Sequence, residues 1–217
     1  MLKAVIMDFD GVIIDTETIW HQVTTAWFKK NHHYDLPMQE FLLCVGSVDE
    51  QLFRFLETTR GLVIDRDRFK ADNLPAVREK SAHLPVKAGV IDFIDSVKAA
   101  GLGLALATSS GNHHAHSHLE RLGLKHRFDV IVTKDDVQQV KPHPDLFLLA
   151  AQKLGVTGHE AVIIEDSANG LQAGIAAGIP VINIPNAVTK YLDFTGAYQV
   201  LEKIADVDLS KLIHTFE

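Results

Sequence analysis

AVIMDFDGVIIDTE, residues 4 to 17, runs a short apolar segment straight into two acids, Asp8 and Asp10. An uninterrupted apolar run without alternation reads as a strand buried on both faces, the kind found in parallel sheets sandwiched between helices. Buried carboxylates are costly unless a partner compensates them. The residues that meet Asp8 and Asp10 are therefore the first thing to look for in the rest of the chain.

Further apolar runs follow: LGLALA (102 to 107), VIV (130 to 132), AVII (161 to 164) and PVINI (180 to 184). Segments of helical period separate them. VKAGVIDFIDSVKAAG places Val90, Ile91, Ile94 and Val97 on one face and stops at Gly101. HPDLFLLAAQKLG opens with Pro144 and ends at Gly155, and SANGLQAGIAAGIP is rich enough in Ala and Gly to approach a sheet closely before Gly178 and Pro180 end it. The fold class expected is α/β, with a Rossmann-like parallel sheet as core. From about Thr16 to His83 no run has strand character; Ile19, Trp20, Val23 and Trp27 mark one helical stripe and Leu52, Phe53, Phe55 and Leu56 another. A third helix near residues 65 to 82 is expected to bend or break at Pro75. Residues 16–83 therefore read as an all-helical insert in a core made of residues 1–15 and 84–217. Its hinges are expected near Asp15 to Glu17 and His83 to Lys87.

With 217 residues and 47% hydrophobic content, the chain can build one sizeable core and a smaller subdomain. A formal charge of -7 argues against binding a nucleic-acid backbone or an anionic membrane in bulk. Cys44 is the only cysteine, which excludes an internal disulfide and points to a reducing cytoplasm. The apolar run after Lys3 breaks at Asp8, too early for a secretory signal, and no stretch is long enough to span a bilayer. A soluble monomer is expected.

Ligands of open parallel sheets sit beyond the carboxyl ends of the strands. There the first run delivers Asp8 and Asp10, the second Thr108, Ser109 and Ser110, the third Thr133 and then Lys141, and the fourth Glu165 and Asp166. Converging carboxylates need a cation among them, and hard oxygen donors without cysteine or obligatory histidine favour Mg²⁺. Mg²⁺ typically completes its shell with water and a substrate phosphate. The hydroxyls, Lys141 and the backbone N–H groups of the loop from Phe9 through Gly11 to Val12 suit the other phosphate oxygens. In this arrangement Asp8 suits attack on phosphorus and Asp10 the transfer of protons to the leaving oxygen and from water.

These motifs resemble those of the haloacid dehalogenase-like superfamily, in the branch of beta-phosphoglucomutase-like sugar-phosphate phosphatases with a helical cap. MDFDGVIIDTE resembles the first motif, LALATSS the second, VKPHPD the third and VIIEDSANG the fourth, in the family's order from residue 4 to about 185. The resemblance implies that Asp8 is phosphorylated, Asp10 is the general acid/base, Thr108 binds phosphate and Lys141 neutralises charge. It further implies that Asp8, Asp10 through its backbone carbonyl, and Asp166 bind Mg²⁺, with Glu165 in support. The insert would be the cap, with specificity in loops such as Gly46 to Asp49 and around Asp15 to Trp20. The expected substrate is a small phosphorylated metabolite, with a sugar phosphate favoured.

A phosphohexose mutase is the alternative within the branch. Against it, Val48 stands where the mutases' cap arginine is expected, Gly111 replaces their lysine after the second motif, and Trp20 falls at their cap histidine. Arg54 or Lys80 could substitute from elsewhere in the chain. The second aspartate and the metal site argue against dehalogenation. A receiver-type signalling module has its acceptor Asp on a different strand and no use for the insert. Val12 and Ile14 at ligand positions exclude a calcium loop, and Gly101 and Gly103 lack the third glycine of a dinucleotide fingerprint. His113, His114, His116 and His118 have helical metal-site spacings, but no acid or cysteine completes a site, and they are expected to be surface histidines. Trp20 and Trp27 are expected in the cap core.

Overall fold

The computed structural model describes residues 1–45 and 49–215; Gly46 and Val48, singled out above, lie outside the described residues. Its centre is a six-stranded parallel sheet in the order β3-β2-β1-β4-β5-β6. The strands are β1 (Ala4–Met7), β2 (Gly103–Ala107), β3 (Val130–Val132), β4 (Ala161–Glu165), β5 (Val181–Asn183) and β6 (Gln199–Val200). The apolar runs mark the first five. Ala4 pairs with both Gly103 and Ala161, so β1 is central and flanked by β2 and β4.

Alternate residues along the strands serve two cores, as the two-residue strand repeat requires. Val5, Met7, Leu104, Leu106 and Val162 pack against α5 (Val90–Ala99), α6 (Asn112–Arg121) and α9 (Leu209–Thr215). Ala4, Ile6, Ala105 and Ile163 face α7 (Asp145–Leu154) and α8 (Ala168–Ala176). The second face is lined by small residues because α8 lies close to it. A Cβ on Gly174 would fall 2.2 Å from Val181 Cγ2, so an alanine there would have to push helix and sheet apart. Ile91, read as part of the buried stripe of α5, is exposed, and Phe93 takes its place in the core.

Between β1 and α5 the described residues form helices and no strand: α1 (Thr16–His32), α2 (Met38–Phe41), α3 (Glu50–Arg60) and α4 (Arg66–Ser81). They share a third core that includes Trp27, Phe28, Phe41, Phe53 and Phe69. Asp15 caps α1 by accepting a hydrogen bond from Thr18 N–H at 3.3 Å. Of the bend or break expected at Pro75, a break does not occur, and α4 runs on through it. The ring lies on the solvent face, and Ala71, whose carbonyl loses its helical donor, is exposed, so water can serve that group. No helix among the described residues is long and apolar enough to cross a membrane.

Candidate active site

The strand order reverses between β1 and β4, and the crevice this leaves at the strands' carboxyl ends receives Asp8 from one and Glu165 and Asp166 from the other. Asp8 N–H donates to Ile164 O at 2.9 Å, which fixes its carboxylate beside the end of β4. Lys141 reaches in between, with Nζ 2.6 Å from Asp8 Oδ1 and 2.8 Å from Glu165 Oε1. All of these side chains are buried. Burial pushes Asp8 up; Lys141 pulls it back only in part, and with Glu165 and Asp10 adding repulsion its pKa reaches about 8. Asp166 is raised by burial and then by Glu165, Glu17 and Asp8.

Oxygens of Asp8, Glu165 and Asp166 lie within 4.8 Å of one another. They are not equally available. Glu165 Oε1 accepts from Lys141, while Oε2 accepts from Asp166 N–H, Ser167 N–H and Ser167 Oγ at 2.7, 2.7 and 3.0 Å. Its bonds within the protein suit a supporting role and leave Asp8 and Asp166 to face a cation. Asp166 Oδ2 is steadied by Asn186 Nδ2 at 2.7 Å, a contact that no motif revealed. A hard divalent cation among these buried oxygens would relieve their mutual repulsion, so the donor set fits one.

Asp10 is held differently. Its carboxylate accepts from Thr16 Oγ1 at 2.8 Å, Ser110 Oγ at 2.6 Å and Thr108 Oγ1 at 3.5 Å, and Oδ1 lies 3.1 Å from His114 Nε2. Burial alone would raise its pKa, but the hydrogen bond and charge of His114, with Ser110 and Thr16, hold it at about 2. The two acids of the first motif are thus driven in opposite directions, one toward the proton and one away from it.

His114 overturns the expectation of surface histidines. α6 starts just after Ser110 and turns His114 and His118 inward, with ring centroids 4.7 Å apart and both rings against Phe9. Their four-residue spacing was the available signal; what the sequence could not show was which face of α6 meets the site. His113 is exposed, and among the described residues no histidine joins a group that could hold a metal.

The backbone loop after β1 is a tight turn. Phe9 is a core side chain and its carbonyl accepts from Ile13 N–H at 2.8 Å, while Gly11 N–H donates to Ile14 O at 2.8 Å. Of the loop's N–H groups, that of Gly11 is thus engaged within the turn. Gly11 is needed for another reason. It sits at φ +79°, and a Cβ there would fall 2.0 Å from Asp166 Oδ2. Gly11→Ala is expected to destabilise the protein by about 1–3 kcal/mol. Thermal melts test this; an unchanged Tm would show that the turn accommodates a side chain against Asp166.

Asp8, Asp10, Thr108, Ser109, Ser110, Lys141, Glu165 and Asp166 all line one cavity of about 460 Å³. Ser109 Oγ is buried there without a partner, a donor that fits a ligand oxygen. Residues 5–184 match the haloacid dehalogenase-like hydrolase family. The chain belongs to that family. It is 35% identical over 214 residues to the putative phosphatase YhcW of Bacillus subtilis, covering 98% of this chain and 97% of YhcW. The fructose-1-phosphate phosphatase YqaB of Escherichia coli is 31% identical over 181 residues, 82% of this chain and 94% of YqaB. Among solved structures, CbbY from Rhodobacter sphaeroides in complex with xylulose-(1,5)bisphosphate superposes with a TM-score of 0.79 at 28% identity, covering 98% and 99% of the two chains.

The insert closes the cavity of this haloacid dehalogenase-like hydrolase with Glu17, Trp20, Asp49, Glu50, Arg66 and Lys70, while Lys134 enters from the loop after β3. Trp20 thus does both jobs, packing on the insert's core and facing the cavity; Trp27 is core only. Arg54 and Lys80, suggested as substitutes for missing cations, do not line it. Glu17 is pushed up to about 8 by burial and by the charges of Asp10, Asp8, Asp15 and Glu165. A Cβ on Gly111 would lie 3.2 Å from Lys134 Cε, so a lysine stem from another loop occupies the space beside the glycine.

Proposed function

We propose that this chain, a phosphoric monoester hydrolase, is a Mg²⁺-dependent phosphatase of small sugar or polyol phosphates that works through an aspartyl phosphate. The observation that carries the reading is the delivery of Asp8, Asp10, Thr108 with its two serines, Lys141 and Asp166 from separate strand ends into one cavity. The relatives named as phosphatases support it.

Asp8 and Asp166 would hold Mg²⁺ with the Asp10 carbonyl, and Mg²⁺ bound there would let an anionic ester approach an anionic nucleophile. Lys141 neutralises Asp8 and the phosphoryl oxygens, while Thr108 and Ser109 orient them. An Asp8 oxygen bonds to phosphorus as the ester P–O bond breaks, and Asp10 gives the leaving oxygen a proton. Asp10 is ionised in the unliganded protein; a phosphate dianion beside it raises its pKa and loads it for this step. Asp10 then takes a proton from the water that attacks phosphorus, releasing phosphate and restoring Asp8. In this reading residues 16–83 form the cap over core residues 1–15 and 84–217.

The test is phosphate release from a panel of sugar and polyol phosphates with Mg²⁺ and with EDTA. Release in Mg²⁺ that EDTA suppresses by at least about 100-fold is expected. Rearranged sugar phosphate without release would instead identify a mutase, and release indifferent to EDTA would remove the metal from the reaction.

A further inference from the structure

Resting on the phosphatase reading, the walls of the cavity bear on how many phosphates its substrate carries. One solved relative holds a bisphosphate, so family membership leaves the number open. The natural anchor for a second phosphate is the arginine facing the cavity from α4. Arg66 has no donor to spare. Its Nε and Nη2 donate to the two oxygens of Glu50 at 3.0 Å each, and Nη1 and Nη2 donate to the two oxygens of Glu57 at 2.6 and 2.9 Å. Nη1 also donates to Ile64 O at 3.3 Å. A guanidinium has five N–H groups, and these contacts engage all of them.

Lys70 faces the cavity from the same helix. Glu50 itself lines the cavity, with Glu17 and Asp49, and the charge of Lys70 acts on Asp49. Lys134 stands apart, beside Gly111, with its N–H donating to Ser110 O at 3.1 Å; it flanks the loop that carries Ser109 and Ser110. The cation outside the insert is thus placed on the side of the transferred phosphoryl group. On the other side the charges of Glu50 and Glu57 outnumber that of Arg66, which disfavours a second dianion, while the Glu50 oxygens readily accept hydrogen bonds from hydroxyls.

We propose that Glu50 and Glu57, by consuming Arg66, make the wall of α1, α3 and α4 a receptor for an uncharged polyhydroxylated group, so that the enzyme takes monophosphates and rejects bisphosphates. Specificity here works through a sequestered cation and unfavourable charge as well as through attraction.

The test compares kcat/KM for a hexose monophosphate with that for the same hexose carrying a second phosphate ester, in wild type, Glu57→Gln, the double variant Glu50→Gln/Glu57→Gln, and Lys134→Met. Wild type is expected to prefer the monophosphate by at least about tenfold. The preference should narrow stepwise in the single and double variants as Arg66 is freed, mainly through KM for the bisphosphate. Wild-type turnover of the bisphosphate as fast as the monophosphate would overturn the inference, as would a preference unmoved in the double variant. Selective loss of bisphosphate turnover in Lys134→Met would overturn it too, by showing a working second phosphate site at Lys134. Absence of phosphate release from every ester would instead sink the phosphatase reading beneath it, a separate outcome.

Discussion

Asp8→Asn is expected to lower kcat by at least about 10⁴-fold while the protein remains folded, because it removes the one atom proposed to bond to phosphorus. The fold should survive because asparagine nearly matches the aspartic acid in size and Lys141 keeps Glu165 at 2.8 Å. The pH dependence of stability gives a second readout. Without metal, the folded wild type keeps the Asp8 proton up to about pH 8, whereas an aspartate in the unfolded chain releases it near its ordinary value of 3.8. Across that window the folded state binds more protons than the unfolded one, so wild-type stability falls as pH rises. Asparagine carries no such proton, and the fall should be shallower in the variant. Thermal melts across the window without and with Mg²⁺ check this, alongside single-turnover phosphate release. Normal turnover by Asp8→Asn would refute the nucleophile, and a melt that drops as steeply as wild type would refute the account of Asp8 as a buried, proton-holding acid.

What the sequence made legible and what it hid divide along a physical line. β1 to β5 announce themselves because a strand buried on both faces must be apolar throughout, and β6 does not, since Gln199 and Val200 sit at the sheet edge, partly in solvent. Asp8 and Asp166 follow such runs directly, and Lys141 lies in the loop region after β3, so all three could be placed at one edge from strand logic. Glu17, Asn186, Arg66 and Lys134 could not. Each reaches the site from a helix or loop whose direction depends on tertiary packing, and each is flanked by sequence that would suit a solvated surface equally well. His114 is the instructive intermediate. Its spacing from His118 was visible, but the ring contact with Phe9 that turns it toward Asp10 exists only once α6 docks on the sheet. Pro75 misled for a related reason: the cost of a helical proline falls when the carbonyl it orphans faces water.

Lys141→Met should bring the second large loss, and it separates two roles of one charge. Lys141 is 2% exposed, contacts Asp8 and Glu165 and sits 4.8 Å from the centre of the Phe147 ring. Methionine fills much of the same apolar stem but leaves two buried carboxylates facing each other. Removing one partner of a buried ion pair costs about 3–5 kcal/mol, which for a chain of this size lowers Tm by roughly 10 °C. Losing a preorganised cation beside the phosphoryl group should lower kcat by about 10²–10⁴-fold as well. The stability loss has a sign that depends on pH. Without Lys141 nothing offsets the burial that holds the Asp8 proton, so Asp8 keeps it to higher pH than in the wild type and the variant goes on weakening where the wild type no longer does. The Tm gap between wild type and Lys141→Met should therefore widen between about pH 7 and pH 9 in metal-free buffer, as wild-type Asp8 gives up its proton near pH 8 and the variant holds it. A gap that is constant across that range would mean that Lys141 contributes packing rather than neutralisation, and the electrostatic role assigned to it in catalysis would fall with it.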